Sequence, residues 1–378
     1  MFQIEIKIPP EKDNFRFVKE KFFSVTGLKE EDLDHFSIQK KSLDSRNKSS
    51  IYWVYRINFS TSKLIKNTGK NNITKINQEK LEKSHKVLTK KSVKKRILVT
   101  GMGPAGIFCS LFLALNNFDV TLIERGKAVE ERVKDVEKFF NKGILDEESN
   151  IQFGEGGAGT FSDGKLTART RYEYYDFIIQ ELISAGAPEE IAYLYKPHIG
   201  TDKLREVVIN LRKKILSLDV KVSFGEKLFK PIINKEREVV SAITNKREIS
   251  CDALVLATGN ACRDLYQTLY EEGVYIEPKG FAIGFRVELP QKIINKSQYG
   301  RKSYLLPPAD FFFSRYFNEI KGSVYTFCMC PGGVVIPASS EKQGLVLNGM
   351  SNYRRDGFFG NAGLVISVSP KDWNNTLF

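Results

Sequence analysis

The sequence is poor in the residues that build disulfide frameworks and metal sites. It has five cysteines and three histidines in 378 residues, and no two cysteines stand in a C-x-x-C pair. An odd number of cysteines without such spacing argues against a disulfide framework and against a structural zinc site. The composition therefore predicts a cytoplasmic protein that resides in a reducing compartment. It also predicts that the protein binds no metal.

The sequence also lacks a recognisable signal peptide and a long hydrophobic run. Charged residues interrupt the first apolar residues of the chain, unlike the apolar core of a signal peptide. Residues 97–118 carry no charge, but three glycines and Pro104 lie within them. The apolar part from Ile107 to Leu115 is far shorter than the roughly 20 residues that a membrane span needs. We therefore expect no membrane association.

Negative charge is scarce in one segment only. The formal net charge of +13 arises mainly in residues 61–96, where 12 Lys and Arg stand against 2 Asp and Glu. Such a segment is typical of a solvated linker, and a patch for an RNA backbone is the sharper alternative. The segment has no aromatic residue on which bases could stack, which favours the linker.

Periodicity divides the chain into domains. Residues 1–60 show three strand patterns and a helical spacing over residues 14–26 that Gly27 ends, which predicts a small α+β domain. After the linker, strand and helix patterns alternate, which indicates a parallel sheet. The predicted fold class is α/β, with a basic linker over 61–94, a Rossmann-type domain over 95–277, a β-rich substrate domain over 278–345 inserted into it, and a return segment over 346–378.

A glycine-rich turn after a buried strand carries the strongest functional signal. The strand pattern Ile97–Val99 precedes the run Thr100-Gly101-Met102-Gly103-Pro104-Ala105-Gly106, a G-x-G-x-x-G motif that opens a helical pattern. Gly101 permits the tight turn, Gly103 lets the backbone approach a pyrophosphate, and Gly106 lets the helix pack close to the strand. The pyrophosphate would meet the positive end of the helix.

Glu124 ends the next strand pattern, 18 residues beyond Gly106. A carboxylate there can accept the two ribose hydroxyls of an adenosine and would repel a 2′-phosphate, which favours FAD or NAD over NADP. A strand pattern over 252–259 ends in Ala-Thr-Gly, as is common in flavoproteins of this fold, and favours FAD over NAD. The expected layout is that of a two-dinucleotide-fold flavoprotein.

A second G-x-G-x-x-G match, at residues 154–159, lacks a preceding strand and a following helix. We interpret residues 150–170 as a glycine-rich loop whose amides lie against a flat or anionic ligand. The chain is therefore expected to contain one Rossmann unit.

Several long stretches resemble the family of uncharacterised bacterial FAD-dependent dehydrogenases, also described as NAD(P)/FAD-dependent oxidoreductases, that carry an N-terminal α+β domain. The matching stretches include TGMGPAGIF, ESNIQFGEGGAGTFSDGKLTAR, LATGNACRDLY and FCMCPGGVVIPASSE. The resemblance implies an FAD-dependent oxidoreductase that transfers a hydride through the flavin N5 atom, with NAD(P)H as a candidate electron donor. The residues it implies around the cofactor are Gly101, Gly103, Ala105, Gly106, Glu124, Arg125, Arg132, Gly154, Gly156, Gly157, Gly159, Thr160, Lys165, Leu228, Thr258 and Gly259.

The chain departs from that family in two places. Asn260 stands where the family tends to have a histidine, and the chain ends at Phe378, where family members continue into a glycine-rich segment beside the flavin ring. The second departure predicts a C-terminally truncated member with an incomplete flavin domain. The alternatives to an oxidoreductase are a flavin-dependent RNA-modifying enzyme, motivated by the basic linker, and a non-catalytic remnant. The substrate and the oligomeric state do not follow from the sequence.

Four residues are candidates for catalysis. Lys165 could place a positive charge beside the reduced flavin or be a solvated loop lysine. His198 could donate a proton, although a structural role at the start of the following helix is favoured. Cys328 and Cys330 lie two apart on a strand pattern, about 6.5 Å between Cα atoms, near the outer limit for a disulfide. They are therefore a redox dithiol or, as is favoured, buried packing.

Overall fold

A computed structural model describes residues 1–63, 65, 73–76, 95–167 and 174–372. Most of the basic linker, the last residues of the glycine-rich loop and residues 373–378 lie outside these ranges. The expectations about an RNA-binding patch in the linker therefore fall on residues that are not described. In the ranges given, no helix is long and apolar enough to cross a bilayer.

The N-terminal unit is an antiparallel sheet with one helix packed on it. From one edge to the other, the strands are β2 (His35–Asp44), β3 (Tyr52–Ser60), β1 (Phe2–Ile8) and β4 (Thr74–Lys75). Phe22 of the helix packs against Phe36 and Phe59 of the sheet. Gly27 ends the helix in a left-handed conformation, with φ of 71°, as the sequence predicts. The elements are β1 Phe2–Ile8, α1 Phe15–Thr26, β2 His35–Asp44, β3 Tyr52–Ser60 and the short β4 Thr74–Lys75.

A four-stranded parallel sheet forms the second unit, as expected of a Rossmann-type domain. From one edge to the other, its strands are β11 (Ala253–Leu256), β5 (Arg96–Thr100), β6 (Asp119–Glu124) and β7 (Lys221–Phe224). Each neighbouring pair is parallel and in register. Central strand β5 has four consecutive buried residues, because helices or the crossover sheet cover both faces. The elements of the sheet and its first helices are β5 Arg96–Thr100, α2 Pro104–Leu115, β6 Asp119–Glu124, α3 Val129–Lys142, α4 Tyr175–Ser184, α5 Thr201–Ser217, β7 Lys221–Phe224 and β11 Ala253–Leu256.

The chain crosses from β7 to β11 through a separate antiparallel sheet. Its strands are β8 Leu228–Ile233, β9 Val239–Thr244 and β10 Glu248–Ser250, in the order β10-β9-β8. Leu98 and Ile123 of the parallel sheet share one buried cluster with Leu228 and Ala242 of this crossover. The core of the second unit therefore lies on both sides of the parallel sheet. Helix α6, Arg263–Glu271, follows β11.

The third unit is a β-rich layer, and here the predicted domain boundary at residue 345 is wrong. The last strand pairs antiparallel along all ten residues of the first one and also with the third. Residues beyond 345 therefore complete this sheet, because they supply the hydrogen-bonding neighbour of its first strand. The described residues show no return of the chain to the parallel sheet. The elements are β12 Phe281–Pro290, α7 Gln291–Tyr299, β13 Ser314–Phe317, β14 Gly322–Cys330, β15 Gly333–Pro337, β16 Leu347–Ser351 and β17 Phe359–Val368.

Candidate dinucleotide site

The turn between β5 and α2 packs so closely that two of its glycines have no room for a side chain. Gly101 has φ of +93°, and a Cβ atom there would lie 2.4 Å from the Ala257 carbonyl oxygen. A Cβ atom on Gly106 would lie 1.8 Å from the Gly101 carbonyl oxygen. The helix therefore starts against the ends of β5 and β11, as the motif predicts.

The first turn of α2 presents backbone donors to a cavity. The N-cap residue is Gly103, and no side chain in the described part of the protein caps this end of the helix. The first amides of a helix have no partner within it and carry the positive end of its dipole. Gly103, Pro104 and Ala105 line the cavity, and an anionic group in it would meet the N–H groups of Gly103 and Ala105, since proline has none.

We call this space the dinucleotide cavity. Its volume is about 380 Å³, and it opens where the carboxyl ends of β5, β6 and β11 meet, the usual ligand edge of an open parallel sheet. The sequence-predicted residues that line it are Gly101, Gly103, Ala105, Glu124, Arg125, Gly154, Gly157, Thr258 and Gly259. An uncapped helix end, glycines without space for a Cβ atom and a buried carboxylate beside them fit the pyrophosphate and ribose of FAD.

Glu124 borders this cavity, but most of its hydrogen-bonding capacity is already used. Its Oε2 atom accepts the amide of Met102 at 2.6 Å, and its Oε1 atom accepts the amides of Gly126 and Gly154, each at 2.9 Å. A carboxylate offers about four acceptor positions, so Glu124 has room for about one further donor. It can therefore bind one ribose hydroxyl, whereas the sequence predicts that it accepts two.

The family resemblance implies Arg132 as a residue around the cofactor, but Arg132 does not line the dinucleotide cavity. Its side chain is fully buried, and its guanidinium donates to the carbonyl oxygens of Asn150, Ile151 and Glu155 at 2.8, 2.8 and 2.5 Å. Each of the three guanidinium nitrogens thus donates to a protein carbonyl oxygen, and burial lowers the pKa of the guanidinium to about 10. Arg132 braces the glycine-rich loop from beneath and does not line the cavity.

The glycine-rich loop separates two cavities. Gly154 and Gly157 line the dinucleotide cavity, whereas Gly156, Gly159, Thr160 and Lys165 line a second cavity of about 370 Å³ among apolar residues of α2, α4 and α5. We call the second space the apolar cavity. These four residues therefore do not line the dinucleotide cavity, and their direct contacts with the cofactor stay a prediction.

Leu228 and Gly106 also lie outside the cavity lining. The Leu228 side chain is buried with Leu98 and Ile123, behind the edge of the parallel sheet. A contact of Leu228 with the cofactor, which the family resemblance implies, stays a prediction. Gly106 acts through close packing of helix on strand.

Sequence reasoning missed Glu226, Phe153 and Asn260 as lining residues of the dinucleotide cavity. Glu226 follows β7, which pairs with β6, so the rule that ligands gather at strand ends could have indicated it. Its carboxylate accepts hydrogen bonds from the side chains of Thr244 and Arg247, and these contacts hold the crossover sheet beside the cavity.

Arg125 forms one rim of the cavity. Its guanidinium lies over the Phe153 ring, 4.0 Å from the centroid, and donates to Glu148 at 2.7 Å and to Asp264 at 3.0 and 3.2 Å. The two carboxylates fix the plane of the guanidinium, so the rim has a defined shape without a ligand.

Lys165 belongs to a charged group in the second half of the glycine-rich loop. Its ammonium lies 2.8 Å from the Asp163 carboxylate, which Arg355 also binds through two hydrogen bonds of 2.8 and 2.6 Å. Burial would raise the pKa of Asp163, but the two cations outweigh it and lower that pKa. The same ammonium lies 3.5 Å from the Cys330 sulfur.

His198 has a structural environment, although it does not cap the following helix. Gly200 is the N-cap of α5. The His198 ring stacks on Tyr353 with centroids 5.7 Å apart, and its Nε2 atom lies 2.9 Å from the Tyr353 carbonyl oxygen. Burial lowers the pKa of His198, so the ring is neutral at pH 7 and joins the second unit to the third.

Comparisons with known proteins agree with this geometry. Residues 280–377 match the family model described as FAD-dependent protein, C-terminal domain-like, and residues 1–60 match a domain of unknown function. An uncharacterised protein of Clostridium beijerinckii is 41% identical over 367 residues, which cover 96% of this chain and 69% of that protein. The chain belongs to this family of FAD-dependent proteins. The comparisons support neither NAD(P)H as a donor nor the predicted truncation.

Solved structures resemble the chain only remotely. The halogenase PltM is 12% identical with a TM-score of 0.38, over 76% of this chain and 54% of that chain. The flavin-dependent halogenase CmlS is 15% identical with a TM-score of 0.37, over 75% and 43%. THI4 of Thermovibrio ammonificans is 16% identical with a TM-score of 0.32, over 48% and 63%.

Proposed function

We propose that this chain binds FAD in the dinucleotide cavity and is an FAD-dependent oxidoreductase. The observation that carries the proposal is the uncapped N-terminus of α2, which opens into a cavity at the carboxyl edge of a parallel sheet. Family membership supports FAD as the ligand.

The protein residues have distinct tasks in this proposal. The amides at Gly103 and Ala105 bind the pyrophosphate, and Glu124 accepts one hydroxyl of the adenosine ribose. Arg132 and Glu124 hold the glycine-rich loop through its backbone, so the loop is shaped before the cofactor arrives. When bound, FAD supplies two-electron redox chemistry by hydride transfer at N5, and the protein determines where a substrate meets it.

Ala105 permits a test that separates binding from folding. It is exposed at the start of α2 and lines the cavity. In the variant Ala105→Asp, the new carboxylate lies at the positive helix end, where it does not destabilise the helix, but it occupies the place proposed for the pyrophosphate. Ala105→Asn has the same shape without the charge and is the matched control.

We expect Ala105→Asp to bind FAD at least tenfold more weakly than Ala105→Asn, with no loss of thermal stability of the apoprotein relative to that control. Titration of the apoproteins with FAD and heat release of the native cofactor measure this. Equal FAD affinities of the two variants, or release of FMN from the native protein, would contradict the proposal.

A further inference from the structure

Two cysteines and two cations meet where the third unit contacts the glycine-rich loop. Cys328 and Cys330 end strand β14, and the Cys330 thiol donates a hydrogen bond to the Cys328 carbonyl oxygen at 3.5 Å. The Lys165 ammonium lies 3.5 Å from the Cys330 sulfur. The Arg286 guanidinium lies 3.9 Å from the same sulfur and donates to the Cys328 carbonyl oxygen at 2.7 Å.

The backbone is strained at this place. Cys328 has φ of +46°, a left-handed conformation that is unfavourable for a residue other than glycine. The register between β14 and β17 shifts between Phe327 and Cys330, so a bulge interrupts the strand at the thiol pair. Bulges of this kind redirect side chains and are common beside functional sites.

The two thiols differ in access to solvent. Cys330 is fully buried, whereas Cys328 is partly exposed. A small reagent can therefore reach Cys328 first, and Cys330 is positioned behind it. This is the arrangement of an attacking thiol and a resolving thiol.

The surroundings favour one negative charge on the pair. The neighbouring Cys330 thiol, with the charges of Lys165 and Arg286, lowers the pKa of Cys328, and the neighbouring Cys328 group with burial raises the pKa of Cys330. The pair thus loses one proton readily and the second with difficulty, because a second charge would be buried beside the first. Asp163 opposes the first ionisation but is itself paired with Lys165 and Arg355.

A buried amide adds a further polar group. Asn361 pairs in register with Cys330, and its Nδ2 atom has no hydrogen-bond partner in the described part of the protein. A Cβ atom on Gly349 would lie 2.5 Å from the Asn361 Oδ1 atom and 2.7 Å from the Cys330 sulfur. The Cys330 sulfur and the Asn361 side-chain amide therefore both lie next to the Gly349 backbone, where only glycine leaves enough space.

We infer that Cys328 and Cys330 form a redox-active dithiol that exchanges with small disulfides, a site apart from the dinucleotide cavity. The Cys328 thiolate attacks one sulfur of a disulfide R–S–S–R; the Cys328–S–S–R bond forms, the reagent S–S bond breaks and RS⁻ leaves. Cys330 then loses its proton and attacks the Cys328 sulfur, forming the Cys328–Cys330 disulfide and releasing a second RS⁻. The two leaving thiolates take up the two protons of the pair, and two electrons pass from the protein to the reagent.

Oxidised glutathione is the probe for a test on the full chain. We expect the wild-type protein to lose two hydrogen atoms and to retain no glutathione, with peptide mapping showing a bond between Cys328 and Cys330. Cys330→Ser should keep one glutathione on Cys328, and Cys328→Ser should acquire neither modification at this site. Cys109, which is also partly exposed but whose pKa is raised by burial, is the internal control.

The role of Lys165 is tested by rate. Loss of its charge in Lys165→Gln should slow mixed-disulfide formation on Cys328 about tenfold at pH 7, and Lys165→Arg should restore most of the rate. Glutathione retained on Cys328 of the wild type without the internal bond would overturn the inference. So would a Cys328 that reacts no faster than Cys109. Neither readout depends on bound FAD, so this test fails or succeeds separately from the proposed function.

Discussion

The fully buried Arg132 offers the sharpest test of how the glycine-rich loop is held. In Arg132→Met the side chain keeps most of its apolar volume but donates no hydrogen bond. The carbonyl oxygens of Asn150, Ile151 and Glu155 then lose their charged donor while they stay buried. The ring of Phe161, 4.9 Å from the guanidinium carbon, also loses its cation.

The expected cost follows from these contacts. An unsatisfied buried carbonyl costs about 1–3 kcal/mol, and the variant creates two, because the Glu155 carbonyl still accepts the Thr160 hydroxyl at 3.3 Å. Removing the guanidinium also removes the cost of burying a charge, which offsets part of this loss. We therefore expect the free energy of unfolding to fall by about 3 kcal/mol.

Urea denaturation followed by circular dichroism measures this change. Arg132→Lys keeps the charge but only one donor group and should lie between wild type and Arg132→Met. Arg16→Met removes an exposed arginine of α1 and should stay within about 0.5 kcal/mol of wild type. If Arg132→Met is as stable as wild type and only its FAD affinity falls, Arg132 is a cofactor ligand and the bracing role is refuted.

Two further predictions concern the same loop and turn. Gly106→Ala should destabilise the protein by at least about 2 kcal/mol, because the new Cβ atom meets the Gly101 carbonyl oxygen. Gly103→Ala, whose new Cβ atom has its nearest contact 3.8 Å away, should fold normally and weaken FAD binding. Equal effects of the two variants on the free energy of unfolding would contradict this prediction. Burial raises the pKa of Glu155 to about 7, so its ionisation destabilises the folded state as the pH rises from about 4.5 to 7. Glu155→Gln should therefore match wild type near pH 4 and exceed its free energy of unfolding by roughly 2–3 kcal/mol at pH 8. The difference between the two proteins isolates Glu155 from His198, whose lowered pKa makes stability rise over part of the same range. A difference that is independent of pH would count against this assignment.

Local sequence signals determined the parts of the fold that depend on neighbouring residues. The motif from Gly101 to Gly106 specified a strand, a tight turn and a helix, because only glycine fits where the backbone atoms approach so closely. Gly27 specified the end of α1 for a similar reason, since the chain there adopts a left-handed conformation. Glu124 at the end of β6 follows from the same βαβ pattern.

Long-range contacts decided the rest. The role of Arg132 depends on carbonyl oxygens 18 to 23 residues away, which no local pattern shows. The assignment of β17 to the sheet of β12 depends on pairing between residues 69 to 87 positions apart, so its strand pattern alone could not exclude a return to the parallel sheet.

The sequence by itself determined that the chain contains one dinucleotide-binding βαβ unit, because turn chemistry and hydrophobic periodicity act over a few residues. It also placed two cysteines on one strand, but it could not distinguish packing from reactivity. Only the tertiary structure brings Lys165 and Arg286 to the thiol pair, from 165 and 44 residues away, and these contacts are the ground for the proposed dithiol. Charge acts through space, so the chemistry of a side chain depends on neighbours that only the folded chain assembles.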